Sequence, residues 1–413
     1  MTGSASVPPS PPTDDIRDAI RIAQGARTRP KVAIAIVAVI AVTVVTAGWL
    51  AGWFAPTPAV VPPQTCAGHV LLEGAGAPSV TPAMRVWSAE YNTTVCAKVA
   101  YATNSSGLGE LASKSVDFAA IDAPLSSSQA TQLGAGAIAL PVALDALVVT
   151  YNVPGVPAGL HLSGGVLAAI FLGNIANWNN PAIQTLNPAA HLPSDLSITT
   201  FHRSDGCAAT LVFTEYLSRA NATWNATVGA NASVVWPGTG SGSGGERGSP
   251  AEVAAINQTP GAIGYAELPL VQQAGLSWAS LQNPDGSFVA PSAANTTAAA
   301  SAANPTLPPE TGVPSNQSLV DETGTDTYPM ATLSYVVVYQ DIGAAYGGAL
   351  TKNEAQWLGA YVLWITTAAQ PRGATVGYAP LPAVLVTWNQ DSLERLQYYG
   401  QSVLAGGDFD GGL

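Results

Sequence analysis

Short apolar segments alternate with segments of helical spacing in the part of the chain that begins near residue 69. Residues 69–76 predict a strand that ends in a glycine-rich turn, and residues 81–91 have the spacing of a helix. A second strand is predicted at 96–103, a turn that opens a second helix at 105–114, and a third strand at 116–124. This βαβα order predicts an α/β fold with a parallel sheet, whose ligand sites lie beyond the carboxyl ends of the strands.

Later segments extend the same pattern. Further strands are predicted at residues 146–152, 196–203, 262–268 and 333–341. Residues 290–327 are low in sequence complexity and predict a long, partly mobile surface loop. Residues 240–245 have the glycine spacing of a dinucleotide-binding loop, but they precede no clear helix, which favours a flexible loop.

The charge balance excludes whole classes of protein. The 413-residue chain has a formal charge of −12, which excludes a basic nucleic-acid-binding protein. Apolar residues make up 47% of the chain, so disorder of the whole chain is excluded as well. The 41 glycines and 32 prolines predict many turns between short elements and disfavour a helical bundle. A chain of this length is expected to contain two domains.

Residues 32–54 form an uncharged segment that is long enough to cross a membrane. Its 23 residues, at about 1.5 Å each, match a hydrocarbon core of roughly 30 Å. Five basic residues precede the segment and none follows it before Arg85, so we expect residues 1–31 to be a disordered cytoplasmic tail. The chain is then a single-pass cell-membrane protein with a proline-rich spacer at 55–65 and an extracellular C-terminal domain. A cleaved signal peptide is the alternative, although its apolar region is normally shorter.

Eight Asn-X-Ser/Thr triplets suit a glycosylated extracellular domain, although chance in an Asn-rich chain explains them equally well. They begin at Asn92, Asn104, Asn221, Asn225, Asn231, Asn257, Asn295 and Asn316. The three cysteines lack metal-site spacing, and neither a metal nor a cofactor is predicted. Outside the cell Cys66 and Cys96 could form a disulfide, which leaves Cys207 free.

Three strand-to-turn junctions have the residue types that bind an oxyanion. Small-residue turns at 74–82 and 104–109 each precede a helix, and Arg203 with Asp205 precedes another. Helix N-termini supply N–H groups to an anion, and an arginine supplies charged donors. Asp122 follows the third predicted strand. Its carboxylate could accept the proton of hydrogen phosphate, which would select phosphate over sulfate.

Five segments, in the same order, resemble the extracytoplasmic phosphate-binding proteins of phosphate ABC transporters. They are SVDFAAIDAPLS (115–126), FLGNIANWNNPAIQTLNP (171–188), HRSDGCAATLVFTEYLS (202–218), VVWP (234–237) and TPGAIGYAEL (259–268). The resemblance implies a type II periplasmic-binding-protein fold, in which two α/β lobes joined by two hinge strands close on an anion. It places residues 66–146 and 330–413 in one lobe and residues 147–329 in the other.

The resemblance also implies a set of ten residues that bind phosphate. In chain order they are Ser79, Ser105, Ser106, Asp122, Arg203, Asp205, Gly206, Cys207, Ala208 and Ala209. Asp122 takes the place of the family's discriminating aspartate, and Asp205 that of the acid that orients the arginine.

Two turns depart from the family pattern. Residues 206–209 read Gly-Cys-Ala-Ala where the family has Gly-Ser-Gly-Thr, so two hydroxyl donors are missing. Pro78 and Ser79 replace Thr-Phe, which removes a further donor because proline has no N–H group, unless Ser79 or Thr81 substitutes.

The sequence thus predicts a membrane-anchored solute-binding protein that captures phosphate, or a related oxyanion, for an ABC transporter permease. The alternative is an ectodomain of the same fold that has lost tight phosphate binding and acts as a sensor or surface interaction domain. The chain has no hydrolase elbow or triad spacing, so an enzyme is not predicted.

Four residues near the predicted cleft carry secondary expectations. A cysteine at a helix N-terminus beside an arginine predicts a lowered thiol pKa at Cys207, with a redox role as the alternative to a small residue in place of serine. Asn104 is expected to be unmodified, because a glycan there would block the cleft. Glu73 and Asp145 add acidic charge, and the sequence assigns them no role.

Overall fold

The fold is an α/β arrangement around a mixed sheet. The computed structural model describes residues 70–94, 97–134, 136–237, 243–303 and 318–404. Within those ranges, no helix is both long enough and apolar enough to cross a membrane.

Several predictions concern residues outside the described ranges and stay predictions. They are the transmembrane segment 32–54 with its tail and spacer, the Cys66–Cys96 disulfide, and the triplet at Asn316.

The first lobe begins with alternating strands and helices. They are β1 (Val70–Gly76), a 3-10 turn (Pro78–Val80), α1 (Thr81–Thr94), β2 (Ala97–Thr103), α2 (Gly107–Ala112), β3 (Phe118–Ile121) and α3 (Ser127–Leu133). β1 lies between β2 and β3 and pairs with both in parallel, as the βαβα order predicts. Helix α1 buries Met84, Trp87, Ser88 and Tyr91, one face of a helix at spacings of three and four residues.

Two antiparallel strands, β4 (Ala137–Tyr151) and β11 (Ala331–Tyr339), form the centre of the sheet. All fifteen residues of β4 are buried, as expected for a near-continuous apolar run covered on both faces. Asp145 is the one charged residue of β4 and lies opposite Thr332 of β11.

The second lobe lies between β4 and β11 in the chain. The elements between these two strands are β5 (Leu160–Leu162), α4 (Gly164–Phe171), α5 (Pro181–Leu186), β6 (Thr199–Arg203), α6 (Ala208–Ala220), α7 (Ala222–Thr227), β7 (Gly244–Glu246), α8 (Ser249–Gln258), β8 (Ala262–Glu267), α9 (Leu268–Gln273), β9 (Ser277–Gln282), β10 (Phe288–Val289) and α10 (Ala293–Ala302), and all of them except α10 belong to the second lobe. β8 pairs antiparallel with β4 and parallel with β6, and β6 pairs parallel with β7.

The chain then returns to the first lobe after β11. The remaining elements are α11 (Ile342–Tyr346), α12 (Lys352–Thr366), α13 (Gln370–Ala374), α14 (Ala383–Leu393), β12 (Gln397–Tyr398) and β13 (Gln401–Ser402). The main sheet has the strand order β2-β1-β3-β11-β4-β8-β6-β7.

Two hydrophobic cores divide the described residues into two lobes. Along β4 the core changes between Leu144 and Ala146, and at the start of β11 it changes between Met330 and Ala331. Asp145 therefore lies where β4 passes from one core to the other. Ala299 and Ala300 of α10 pack in the first core, although α10 precedes β11 in the chain.

Three details differ from the sequence predictions. The central strands β4 and β11 are antiparallel to their neighbours, so the sheet is mixed rather than wholly parallel. The loop predicted for 290–327 contains helix α10, which is capped by the Ser292 hydroxyl and buries Thr296. The predicted flexible loop at 240–245 is partly wrong, because β7 includes two of its glycines and pairs with β6.

Candidate functional site

A cleft of about 550 Å³ lies at the carboxyl ends of β1, β3 and β6, where both lobes contribute residues. Its polar and small lining residues include Gly76, Asn104, Ser105, Gly107, Asp122, Gln129, Arg203, Asp205, Gly206, Cys207, Arg247 and Gly248. Six of the ten residues expected to bind the anion thus line the cleft, namely Ser105, Asp122, Arg203, Asp205, Gly206 and Cys207. The cleft has the position expected for a ligand site in an α/β sheet.

Arg203 at the end of β6 is held as a rigid fork. Its Nε donates to Asp205 Oδ1 at 2.7 Å and its Nη2 to Asp205 Oδ2 at 2.6 Å. Its Nη1 donates to Ser249 Oγ at 2.7 Å, and only 9% of Arg203 is exposed. A guanidinium has five N–H groups, so one on Nη1 and one on Nη2 are left for a ligand.

Neighbouring groups fix the position of this fork. The Arg203 backbone N–H donates to the hydroxyl of Tyr265 at 3.1 Å, and the Gly248 N–H donates to Asp205 Oδ1 at 3.2 Å. The hydrogen bonds from Arg203 lower the pKa of Asp205, so this carboxylate stays charged and keeps the fork oriented.

At the start of α6, residues 206–209 supply backbone donors and no hydroxyl. Ala208 and Ala209 are the first residues of α6, so their N–H groups have no acceptor within the helix. The Cys207 N–H is different, because it donates to the Ala232 carbonyl at 3.0 Å. Cys207 occupies the N-cap position without a capping side-chain hydrogen bond.

The lowered thiol pKa predicted for Cys207 is wrong. Burial raises the pKa of this thiol to about 11, although Arg203 acts in the opposite direction. The sulfur lies 3.3 Å from the Thr210 hydroxyl and is buried. A buried thiol of this kind is inert, so a redox role is not supported.

The 104–107 turn brings one of its two serines to the cleft. Ser105 lines the cleft, whereas the Ser106 hydroxyl donates to Glu110 Oε1 at 2.7 Å and does not line it. Asn104 receives a hydrogen bond from the Ser106 N–H at 2.9 Å and donates to Glu110 at 3.0 Å. Asn104 therefore shapes the turn through its side chain.

Asp122 lies directly after β3 and lines both the cleft and a smaller cavity below it. Burial raises the pKa of Asp122, and the charge of Glu267 raises it further, while Arg203 lowers it. When ionised, the carboxylate can accept a hydrogen bond from a protonated oxygen of the ligand. The balance between burial, Glu267 and Arg203 decides how far Asp122 is ionised.

The smaller cavity, here called the inner cavity, lies between the N-termini of the 3-10 turn and α6. Its residues are Ser79, Asp122, Asp145, Leu147, Ala208, Ala209, Glu267, Thr332 and Ser334. The Ser79 hydroxyl has no hydrogen-bond partner among the described residues. The expected ligand residues Ser79, Ala208 and Ala209 thus lie on the inner side of the site rather than at its mouth.

Sequence reasoning missed several functional residues of the cleft. Ser249 and Tyr265 hold Arg203 from elements distant in the chain, so a linear pattern gives no sign of their role. Arg247 is exposed and adds a second guanidinium to the cleft lining. Its position in a glycine-rich stretch before a Ser-Pro helix start was the available signal.

Comparison with known proteins identifies the family. A family model described as a PBP superfamily domain matches residues 56–369. The phosphate-binding protein PstS of Xylella fastidiosa (strain 9a5c) is 35% identical over 322 residues, which cover 77% of this chain and 83% of that protein. The phosphate-binding protein PstS of Pasteurella multocida is 36% identical over 318 residues, which cover 76% and 87%.

Solved structures support the fold. The high affinity periplasmic phosphate-binding protein PfluDING, bound with phosphate, has a TM-score of 0.57 at 20% identity and covers 77% of this chain and 92% of its own. A phosphate-binding protein from Stenotrophomonas maltophilia has a TM-score of 0.56 at 17% identity, with coverage of 81% and 96%.

These findings confirm the resemblance inferred from the five sequence segments and the two-lobed α/β fold. Both PstS relatives are named phosphate-binding proteins, which agrees with the prediction that the chain is not an enzyme. The chain belongs to the periplasmic-binding-protein superfamily and, within it, to the family of PstS-type phosphate-binding proteins.

Proposed function

We propose that this protein captures phosphate, or a closely related oxyanion, in the cleft between its lobes and delivers it to an ABC transporter. The observation that carries the proposal is the Arg203 fork, fixed by Asp205 and Ser249, in a cleft that also contains Asp122. An arginine fork of this kind matches the geometry of a phosphate. Relatives at 35–36% identity that are named phosphate-binding proteins support the same ligand.

The proposed binding mode uses donors from both lobes. Arg203 offers its two remaining N–H groups, Ala208 and Ala209 offer backbone N–H groups, and Ser105 offers a hydroxyl. The Asp122 carboxylate accepts a hydrogen bond from the O–H group of the ligand. Closure of the lobes about β4 and β11 would then exclude water and strengthen each charge-assisted hydrogen bond.

The direct test is calorimetric titration of the purified full chain, stripped of bound anion, with phosphate and then sulfate at neutral pH. We expect micromolar or tighter phosphate binding with no heat from sulfate. Absence of both heat and thermal stabilisation at millimolar phosphate would contradict the proposal.

Replacement of Asp122 by asparagine is expected to relax the choice between phosphate and sulfate by about tenfold or more. An amide can donate to a fully ionised oxyanion, whereas a carboxylate can only accept. Because burial and Glu267 raise the pKa of Asp122, the wild-type selectivity should also weaken as the pH falls and this carboxyl is protonated. Competition calorimetry across pH measures both effects.

The matched control for that variant is Asp391→Asn, which changes an exposed carboxylate on α14. Equal selectivity in the Asp122 variant and the wild type would remove Asp122 from the proposed discrimination.

Replacement of Cys207 by serine is expected to tighten phosphate binding by about tenfold. Serine restores a hydroxyl at a position where the family has one, and as an N-cap it should also stabilise α6 by about 1 kcal/mol. Calorimetry and thermal unfolding measure the two gains. Cys207→Ala is the control, because it provides neither a donor nor a cap, and a gain of affinity in that variant would contradict the explanation.

A second candidate function follows from the missing hydroxyls. Cys207 and Ala209 lack the hydroxyl donors, and Pro78 lacks the backbone N–H group, that the family resemblance implies, which favours a sensor or surface interaction domain with weak anion binding. The titration above separates the two functions, because the sensor alternative predicts no heat with phosphate.

We further propose how the chain is arranged at the membrane. We place a single transmembrane helix at residues 32–54, with the described domain outside the cell, on the basis of the uncharged segment and the flanking basic residues. The change of core at Asp145 and Ala331 supports lobe boundaries near residues 146 and 330. Asn225, Asn231 and Asn257 are exposed and are the proposed glycan sites, whereas Asn104 lines the cleft.

A further inference from the structure

Asp145 is a buried carboxylate that the binding scheme above does not use. It lies on β4 at the point where the strand passes from one core to the other, and only 3% of it is exposed. Neither of its carboxylate oxygens has a partner at good hydrogen-bonding geometry among the described residues, although the adjacent Ala146 N–H lies close enough to lower its pKa in part. Burial of an unpaired charge costs free energy, and the neighbouring groups in the fold do not offset that cost. The position of Asp145 therefore calls for a functional explanation.

The side chain of Asp145 lines the inner cavity, directly below the proposed anion site. Glu267 also lines it, and its Oε2 has no partner among the described residues. Asp122 and the first residues of α6 line the same cavity, so the charge of Asp145 acts on the groups that would bind the anion.

The charges around the site are unbalanced. Arg203 and Arg247 supply positive charge, whereas Asp122, Asp145, Asp205 and Glu267 are acidic. An incoming oxyanion makes the excess of negative charge larger, and the low dielectric of the interior strengthens the repulsion. Neutralisation of one of these acids would therefore favour binding.

We propose that Asp145 controls binding at the anion site. The anion binds when the Asp145 carboxyl is protonated and is repelled when that carboxyl is ionised. The protein then takes up the anion together with a proton from solvent, which remains on the Asp145 carboxyl. This inference rests on the proposed function, because it concerns the phosphate site itself.

The proton belongs on Asp145 rather than on Asp205 or Asp122. Asp205 is held ionised by the Arg203 fork, and Asp122 must be ionised to accept the proton of the ligand. Asp145 has no such constraint, and burial together with the charge of Glu267 raises its pKa well above the usual range.

The surroundings of Asp145 offer it no positive charge of their own. Glu267 faces it from β8, Asp122 from the end of β3, and Thr332 and Ser334 from β11. Tyr328 and Tyr378 are buried nearby, and the charge of Asp145 contributes to raising the pKa of each.

The test compares phosphate binding by the full chain and its Asp145→Asn variant over the whole pH range in which both proteins stay folded, because burial raises the pKa of this carboxyl well above its usual range. Asparagine has nearly the same shape as aspartate and is neutral at every pH. Above the pKa of Asp145 the wild-type affinity should fall about tenfold more per pH unit than that of the variant. The titration of phosphate itself is common to both proteins and cancels in this comparison.

A second measurement counts protons directly. Calorimetry in buffers of different ionisation enthalpy should show about one more proton taken up per bound phosphate by the wild type than by the variant at alkaline pH. Asp117→Asn is the control, because the pKa of Asp117 is also raised, to about 6, but Asp117 lies before β3, at the end of that strand opposite to Asp122. Its profile should match the wild type.

The possible results separate the two proposals. Phosphate binding with equal pH profiles and proton counts in the wild type and Asp145→Asn would overturn the role of Asp145 and leave the proposed function intact. No phosphate binding by either protein at any pH would overturn both. If Asp145→Asn does not fold, Asp145→Ala takes its place, and equal proton uptake in that variant would likewise overturn the inference.

Discussion

Replacement of Arg203 by methionine is expected to weaken phosphate binding by about a hundredfold to ten-thousandfold. The variant loses the two guanidinium N–H groups that remain for the ligand, and each charge-assisted hydrogen bond contributes about 1.5–3 kcal/mol. It also leaves the Asp205 carboxylate without its partner beside the anion, which adds repulsion. Calorimetry at neutral pH measures the loss.

Two further variants make this prediction specific. Arg203→Lys keeps the positive charge but cannot hold Asp205 and Ser249 while also presenting two donors, so most of the loss should remain. Arg372→Met removes an arginine of the first lobe that pairs with Glu90 at 2.8 Å. This variant should bind phosphate with wild-type affinity. Wild-type phosphate affinity in Arg203→Lys would show that the positive charge alone, not the fork, holds the anion.

The strand and helix pattern could be predicted wherever periodicity and local sequence agree. The parallel group β1, β2 and β3 is an example, because each strand is a short apolar segment before a small-residue turn. The arginine fork was also predictable, because Arg203 and Asp205 are only two residues apart and their contact is local.

The first half of β4 could not be predicted in the same way. Pro141 lies within it, and a proline argues against a central strand. The register of β11 shifts between Ser334 and Tyr335, opposite this position, and the Pro141 carbonyl accepts a hydrogen bond from Asn389 at 2.8 Å. A bulge and a distant side chain accommodate the proline, and neither is visible in a local pattern.

Helix α10 and the thiol pKa of Cys207 were mispredicted for a related reason. The alanine, serine and threonine residues of α10 carry little apolar periodicity, and the helix is stabilised by burial of Ala299 and Ala300 in the first core. The thiol lies beside an arginine at a helix start, as the sequence indicates, but its burial has the larger effect on its pKa. Burial is a property of the packed molecule, which sequence spacing does not provide.

Replacement of Gly76 by alanine is expected to lower the free energy of unfolding by about 2–6 kcal/mol and to abolish phosphate binding. Gly76 ends β1 with φ of +146°, a conformation that other residues rarely adopt. A Cβ atom there would lie 2.0 Å from the Ala120 carbonyl oxygen and 2.7 Å from the Ala120 nitrogen. Both are backbone atoms of the paired strand β3, so relief requires that β1 and β3 separate.

The effect on binding follows from the same contact, because Gly76 lines the cleft and Ala120 is two residues before Asp122. Gly109→Ala is the matched control, since a Cβ at Gly109 would meet no atom within 4 Å and alanine suits a helix. Denaturant unfolding should show Gly109→Ala to be as stable as the wild type or about 0.5–1 kcal/mol more stable. Wild-type stability in Gly76→Ala would mean that the turn after β1 changes conformation without disturbing β3. The part of the anion site at the ends of β1 and β3 would then be far less rigid than its packing implies.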